Sequence, residues 1–160
     1  MVLFLKILIF TVLVPGTVAG YIPWDIVRDR PFVMTPLVFP AALCSVVGVA
    51  IYLWCAYDFA VAGRGTPAPI DAPKQLVVRG LYRYVRNPMY VGVMSVLAGW
   101  SLLFPSQTLL NYTLGTFVVF NLLVFFYEEP ALERQFGDEY LSYRSKVSRW
   151  LPRMRPKNGS

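Results

Sequence analysis

Two polar blocks in an otherwise apolar chain hold the residues able to do chemistry. The first reads Lys74-Gln-Leu-Val-Val-Arg-Gly-Leu-Tyr-Arg-Tyr-Val-Arg-Asn-Pro-Met-Tyr-Val-Gly92, and the second Tyr127-Glu-Glu-Pro-Ala-Leu-Glu-Arg-Gln-Phe-Gly-Asp-Glu-Tyr140. Asn87 followed by Pro88 has the form of an N-cap and a first-turn proline, which predicts a helix starting there. A helix start leaves unpaired N–H groups and a positive dipole end, a natural seat for a carboxylate. Arg79, Arg83 and Arg86 fall at i, i+4 and i+7, so a helical segment would place all three on one face. Tyr82, Tyr84 and Tyr90 are either interfacial aromatics or ring faces for a cation or a purine. Glu128 and Glu129 close an apolar run, where a carboxylate needs a cationic partner. Two readings follow: a plain ion pair tying loop to tail, or a charged slot for a zwitterion, its carboxylate at the Asn87 cap and its ammonium at Glu128.

Histidine is absent, which removes the commonest general base and metal ligand, and no metal is expected. Cys44 and Cys55 lie in one apolar run, about 16 Å apart if it is helical, so they form neither a disulfide nor a zinc-type pair.

These blocks must be positioned by apolar elements. Hydrophobic residues make up 56% of the 160 positions and charged ones 15%, against roughly half and a quarter in soluble domains. Four stretches approach the roughly 20 residues that cross a bilayer core: residues 2–19, 37–57, 88–104 and 108–127. The first also has features of a signal peptide ending near Val18-Ala19-Gly20, although Lys6 sits inside the run. The net charge of +6 concentrates in residues 64–86 and 144–157, which suits an anionic membrane surface better than nucleic acid. Arg64, Lys74, Arg79, Arg83 and Arg86 crowd the second connection, and seven basic residues follow Tyr127. The positive-inside bias therefore places both termini and the polar blocks on the cytoplasmic side of an inner membrane.

The expected architecture is an all-α integral-membrane fold with four transmembrane helices, a C-terminal helical hairpin and an amphipathic cytoplasmic tail helix. It forms one domain over 1–160, with two N-terminal spans in 1–62, a cytoplasmic loop in 63–87, the hairpin in 88–127 and the tail in 128–160. The short Pro105-Ser-Gln107 turn makes the hairpin tight, and Gly92, Ser95 and Gly99 form a small-residue packing stripe. Asp138 is placed to cap a tail helix carrying Leu141, Val147 and Trp150 among Arg144, Lys146 and Arg149. Asp58 reads as an interfacial residue.

The pattern Leu76-Val-x-x-Gly80-x-Tyr82-x-x-x-Arg86-Asn-Pro-x-Tyr90-x-Gly92, then Glu128-Glu129, then Phe136-Gly-x-Glu139-Tyr140-x-x-Tyr143-x-x-x-Val147 and Pro152, resembles the isoprenylcysteine carboxyl methyltransferase and phospholipid methyltransferase superfamily. The resemblance implies an integral-membrane enzyme whose last hairpin and tail enclose S-adenosylmethionine, with a lateral opening for a lipophilic acceptor. It maps cofactor contacts onto Lys74, Gln75, Leu76, Val77, Tyr82, Asn87, Pro88, Met89, Tyr90 and Glu128. The catalytic roles expected beside it are Glu128 fixing the cofactor ammonium and Arg86 orienting the pocket or the acceptor. Two positions depart from the prenylcysteine enzymes: Asn87 replaces a histidine, and Val124 stands where those enzymes carry a substrate-binding arginine, which argues against a prenylcysteine carboxylate. The expected reaction is methyl transfer to a membrane-borne lipid amine, isoprenoid-type carboxylate or similar acceptor. The alternative is an NADPH-dependent membrane reductase of a sterol-like or enone lipid. A transporter would place ionisable residues at mid-membrane, and apart from Lys6 the spans hold none.

Overall fold

Apolar runs separated by short connections give a helical protein. The structure, a computed structural model, describes residues 2–63 and 75–152. Its helices are α1 (Val2–Leu13), α2 (Ile22–Val27), α3 (Val38–Asp58), α4 (Pro88–Leu103), α5 (Gln107–Leu123), α6 (Glu129–Phe136) and α7 (Asp138–Lys146). Wider π-helical turns occupy Thr17–Tyr21, Phe59–Gly63 and Val124–Glu128, and a 3₁₀ turn covers Gly80–Arg83. Among the described residues the one β-type pairing is a parallel bridge between Val85 and Ser148.

Three helical stretches are long and apolar enough to cross a membrane: Leu5–Val27, Val38–Val61 and Gln107–Phe136. The fourth, Pro88–Leu103, is shorter; its 16 residues rise about 24 Å against a hydrocarbon core of about 30 Å. Large apolar side chains such as Phe39, Leu43, Val46 and Leu114 stay exposed along these helices, as expected where lipid rather than protein is the neighbour.

Two boundaries differ from those read in the sequence. Pro15-Gly16 does not end the first helix, because the wider turn Thr17–Tyr21 carries it on to Val27. The helix through Glu128 does not stop at Tyr127 either. Pro130 sits in the first turn of α6, where its missing N–H costs little after the preceding π turn. Glu128 and Glu129 therefore lie within a continuous helical stretch and not at a helix C-terminus. The end comes at Gly137, whose φ of +52° is one that L side chains rarely adopt.

The tightest packing joins α3 to α4, more than α4 to α5. A Cβ on Gly48 would sit 2.5 Å from the Gly92 carbonyl oxygen, and one on Gly99 would sit 2.8 Å from that of Ala41. Gly92 and Gly99 thus face α3, whereas Ser95 turns its hydroxyl to the Val91 carbonyl. The antiparallel α4–α5 hairpin is held by Ser101 against Thr113 at 3.1 Å and by the Tyr90 ring, tilted against that of Phe120 at 4.5 Å. The first helical stretch is fastened across the bundle by three polar contacts: Thr11 to the Tyr52 hydroxyl, Trp100 to the Ala19 carbonyl and Tyr112 to the Val18 carbonyl. Tyr52, Val93, Leu97 and Phe120 form the centre of the core.

Candidate active site

The start of α4 and the helical stretch beyond α5, which carry parts of the two polar blocks, converge with the last turns of α3 on one cavity of about 230 Å³. Its polar lining is made by Arg86, Asn87, Glu128 and Gln135, and its apolar lining includes Phe10, Val14, Val18, Val93 and Phe120. The three π turns all open onto it, through Val18, Phe59 and the Tyr127-Glu128 pair. Such turns often shift side-chain register at functional sites.

Of the residues singled out in the sequence, Leu76, Val77, Tyr82, Arg86, Asn87, Met89, Tyr90 and Glu128 line this cavity together. Gln75 is exposed and Pro88 is buried, and neither is part of the wall. Lys74 lies outside the described residues. Sequence reasoning missed the contribution of the first helix (Phe10, Val14, Pro15 and Val18) and that of Tyr52, Phe59, Ala131, Leu132 and Tyr143. Apolar residues on an apolar helix carry no signal that separates a wall from a lipid-facing side.

The arginine row does not form a helical face. Arg79 is extended, at φ −134° and ψ 172°, and Gly80 has φ +54°, so the chain changes direction before the short turn Gly80–Arg83. Gly80 is needed there, since a Cβ would fall 2.2 Å from Asp58 Oδ2. Arg79 pairs instead with Asp58 at 3.0 Å, and that carboxylate is almost fully buried at the end of α3. Arg86 turns to Glu129, at 3.0 Å.

Asn87 occupies the predicted position before Pro88, but its side chain caps no helical N–H; its amide donates to the Arg149 carbonyl at 3.3 Å. The first-turn N–H groups of α4 therefore keep their capacity to meet an anion. Glu128 accepts a hydrogen bond from the Tyr90 hydroxyl, which leaves lone pairs of the carboxylate for another donor. The arginine partner expected for Glu128 belongs to its neighbour. Glu129 is 5% exposed and takes a two-pronged contact from Arg149, with both distances 2.8 Å, besides the one from Arg86.

The tail completes the enclosure. Tyr143 donates to the Tyr82 carbonyl at 2.7 Å, the Arg86 amide to the Ser148 carbonyl at 2.8 Å, and the Trp150 indole to Asn121 at 3.0 Å. Burial pushes the Tyr82 and Tyr143 hydroxyls above their usual range, so both act as neutral hydrogen-bonding groups. Helix α7 buries Tyr140 and Tyr143 while Leu141 stays exposed, and it ends at Lys146, so Val147 and Trp150 are reached by an extended strap. Gly137, not Asp138, stands at its N-cap. Cys44 and Cys55 are free thiols, and among the described residues no acidic, Cys or His cluster is arranged for a metal.

Known proteins share parts of this sequence. The protein-S-isoprenylcysteine O-methyltransferase of Schizosaccharomyces pombe is 38% identical over 80 residues, 48% of this chain and 33% of that protein. An uncharacterized protein of Haemophilus influenzae is 35% identical over 63 residues, 39% of this chain and 100% of its own length. The chain thus spans about a third of the fission yeast enzyme. No solved structure matches. A phospholipid methyltransferase family model covers residues 37–139, nearly two thirds of the chain and the whole stretch from α3 to the start of α7, and the protein belongs to that family of membrane methyltransferases.

Proposed function

We propose that this protein transfers a methyl group from S-adenosylmethionine to a lipophilic acceptor held in the membrane, at the cavity between the polar blocks. The observation that carries the reading is that Glu128 and Asn87 line the same cavity as Phe10, Val14 and Val18, so a zwitterionic group and an apolar chain meet in one space. The donor set fits the cofactor. Glu128 offers a carboxylate to the ammonium. The uncapped first turn of α4, with the buried and unpartnered Nε of Arg86 beside it, offers N–H groups to the carboxylate. Tyr90 and Phe120 offer ring faces near the cationic sulfur.

When bound, the sulfonium supplies a methyl group already activated for displacement. The protein's share is then alignment and exclusion of water. The apolar wall from Phe10 to Val18 holds the acceptor chain, and Arg86 orients the polar end. A protonated amine acceptor needs a base. Glu129 is engaged by two guanidinium groups, so Glu128 is the carboxylate left on the cavity for that task. We read α4 as the third of four spans, its shortness offset by its seat against α3, with the cavity mouth and both termini on the cytoplasmic side.

Calorimetry with S-adenosylhomocysteine against NADPH tests the cofactor, and methyl-labelled S-adenosylmethionine with protein in native membranes tests the acceptor. Micromolar binding of S-adenosylhomocysteine and label in the lipid fraction are expected. Binding of NADPH alone would replace this reading with a reductase; the family match favours methyl transfer.

A further inference from the structure

Arg149 lies outside the cavity wall, yet it closes a ring of contacts around two residues that are in it. Its guanidinium grips both oxygens of Glu129 at 2.8 Å. Glu129 in turn holds the Arg86 guanidinium at 3.0 Å. The Arg86 amide donates to the carbonyl of Ser148, the residue before Arg149, and the Asn87 side chain donates to the carbonyl of Arg149 itself. Tyr140 adds its hydroxyl to Arg86 at 3.3 Å. Arg149 thus fastens the segment 85–87 from the side-chain end and, through its own backbone, from the main-chain end.

That segment has little of its own to hold it. It lies between the Gly80–Arg83 turn and the first residue of α4, and Asn87 has φ −125° and ψ 52°, outside the regular helix and strand regions. Its shape is set by what it pairs with, and besides Tyr140 and backbone bonds to Leu81 and Val91 those partners come from the strap at 147–149 and from Glu129. Glu129 is adjacent in sequence to Glu128, so the same carboxylate fixes both sides of the cavity mouth. The contact is a fork-on-fork pair, which specifies orientation as well as proximity. The Phe125 ring, 5.6 Å from the guanidinium carbon, supports it from the other side.

We propose that Arg149 is a positioning residue: through Glu129 and its own backbone carbonyl it holds Arg86 and Asn87 against Glu128, and so sets the cofactor mouth from a strap that does not touch the cavity. The inference rests on the proposed methyltransferase reading for its consequence in binding, but not for the coupling itself.

The test uses the full chain in detergent or nanodiscs, with Arg149→Gln and Arg149→Lys compared to wild type. Hydrogen–deuterium exchange without added cofactor reads the coupling, and calorimetry with S-adenosylhomocysteine reads its consequence. Arg149→Gln is expected to speed exchange across 84–91 while the amides of the α3–α4 contact stay protected. Affinity should weaken about tenfold or more, the effect of losing one charge-assisted hydrogen bond. Arg149→Lys keeps the charge but not the fork, and falls between the two. Unchanged exchange at 84–91 overturns the proposal. So does a uniform rise in exchange with unchanged affinity, which would mark a merely structural arginine. If wild type binds no S-adenosylhomocysteine, the methyltransferase reading fails, while the exchange arm still decides the coupling.

Discussion

Tyr90, in the first turn of α4, donates its hydroxyl hydrogen to Glu128 across the hairpin, and both side chains line the one cavity. The pair joins the start of one helix to the continuation of the next, and it gives the carboxylate a fixed direction. A ligand ammonium at Glu128 would add an opposite charge.

Replacing that charge is the most direct trial of the site. Glu128→Gln keeps shape and a hydrogen-bond acceptor for Tyr90 but removes the anion. Binding of S-adenosylhomocysteine, followed by calorimetry, should disappear, with methyl transfer lost alongside it. Wild-type affinity in this variant would remove Glu128 from the cofactor site.

Glu129→Gln should behave differently, as a stability variant first. It leaves two guanidinium groups facing one neutral amide in a buried position. Breaking a buried pair from one side costs about 3–5 kcal/mol, so the thermal midpoint should fall by many degrees. Pairing it with Arg149→Gln should recover part of that loss. A midpoint within a degree or two of wild type for Glu129→Gln would show that the two arginines are already well solvated.

The proposed reading seats donor and acceptor in different parts of the cavity, which predicts a split in effects. Val18→Phe adds a ring to the apolar lining contributed by the first helical stretch. Turnover of lipophilic acceptors should drop sharply while S-adenosylhomocysteine affinity stays within about twofold, less than one ordinary hydrogen bond contributes. Equal loss of both would mean that the two ligands do not occupy separate parts of it.

Glycines on neighbouring helices should respond in opposite directions. Gly92→Ala drives a methyl group to 2.7 Å from the Gly48 carbonyl oxygen, an overpacking that costs roughly 1–3 kcal/mol. Gly115, exposed on α5, has nothing within 4 Å of an added Cβ, and Gly115→Ala should gain about 0.5–1 kcal/mol through helix propensity. Unfolding of the purified protein in a mild detergent, with both variants side by side, measures the contrast.

Several parts of this arrangement are legible from residues alone. Pro88 announces the start of α4, Gly137 the break before α7, and the sequence from Leu76 to Tyr90 supplies most of one cavity wall. Other parts are not. The spacing of Arg79, Arg83 and Arg86 imitates a helix, and only the backbone at Gly80 reveals that Arg79 and Arg86 go to different partners. Gly80 was itself a cue, because a glycine inside a supposed helical face permits the positive φ seen here. Glu128 and Glu129 are chemically alike and adjacent, and nothing local decides which meets the arginines. The continuous helix settles that by turning one toward the cavity and the other toward Arg149. The first helix is silent for a third reason: Phe10, Val14 and Val18 face a void, yet by type they match the lipid-facing Leu8 and Val12.

The contact of Gly48 with Gly92 leaves no side chain between two backbones, so nothing there can rotate or compress to change the spacing. α3 and α4 therefore act as a fixed jaw carrying Tyr52, Met89, Tyr90 and Val93. The first helical stretch faces them across the cavity, held by hydrogen bonds with Tyr52, Trp100 and Tyr112 and by Ile7 and Ala19 in the core. Trials of acceptor choice belong on Phe10, Val14 and Val18, lining residues that carry none of the cavity's polar groups.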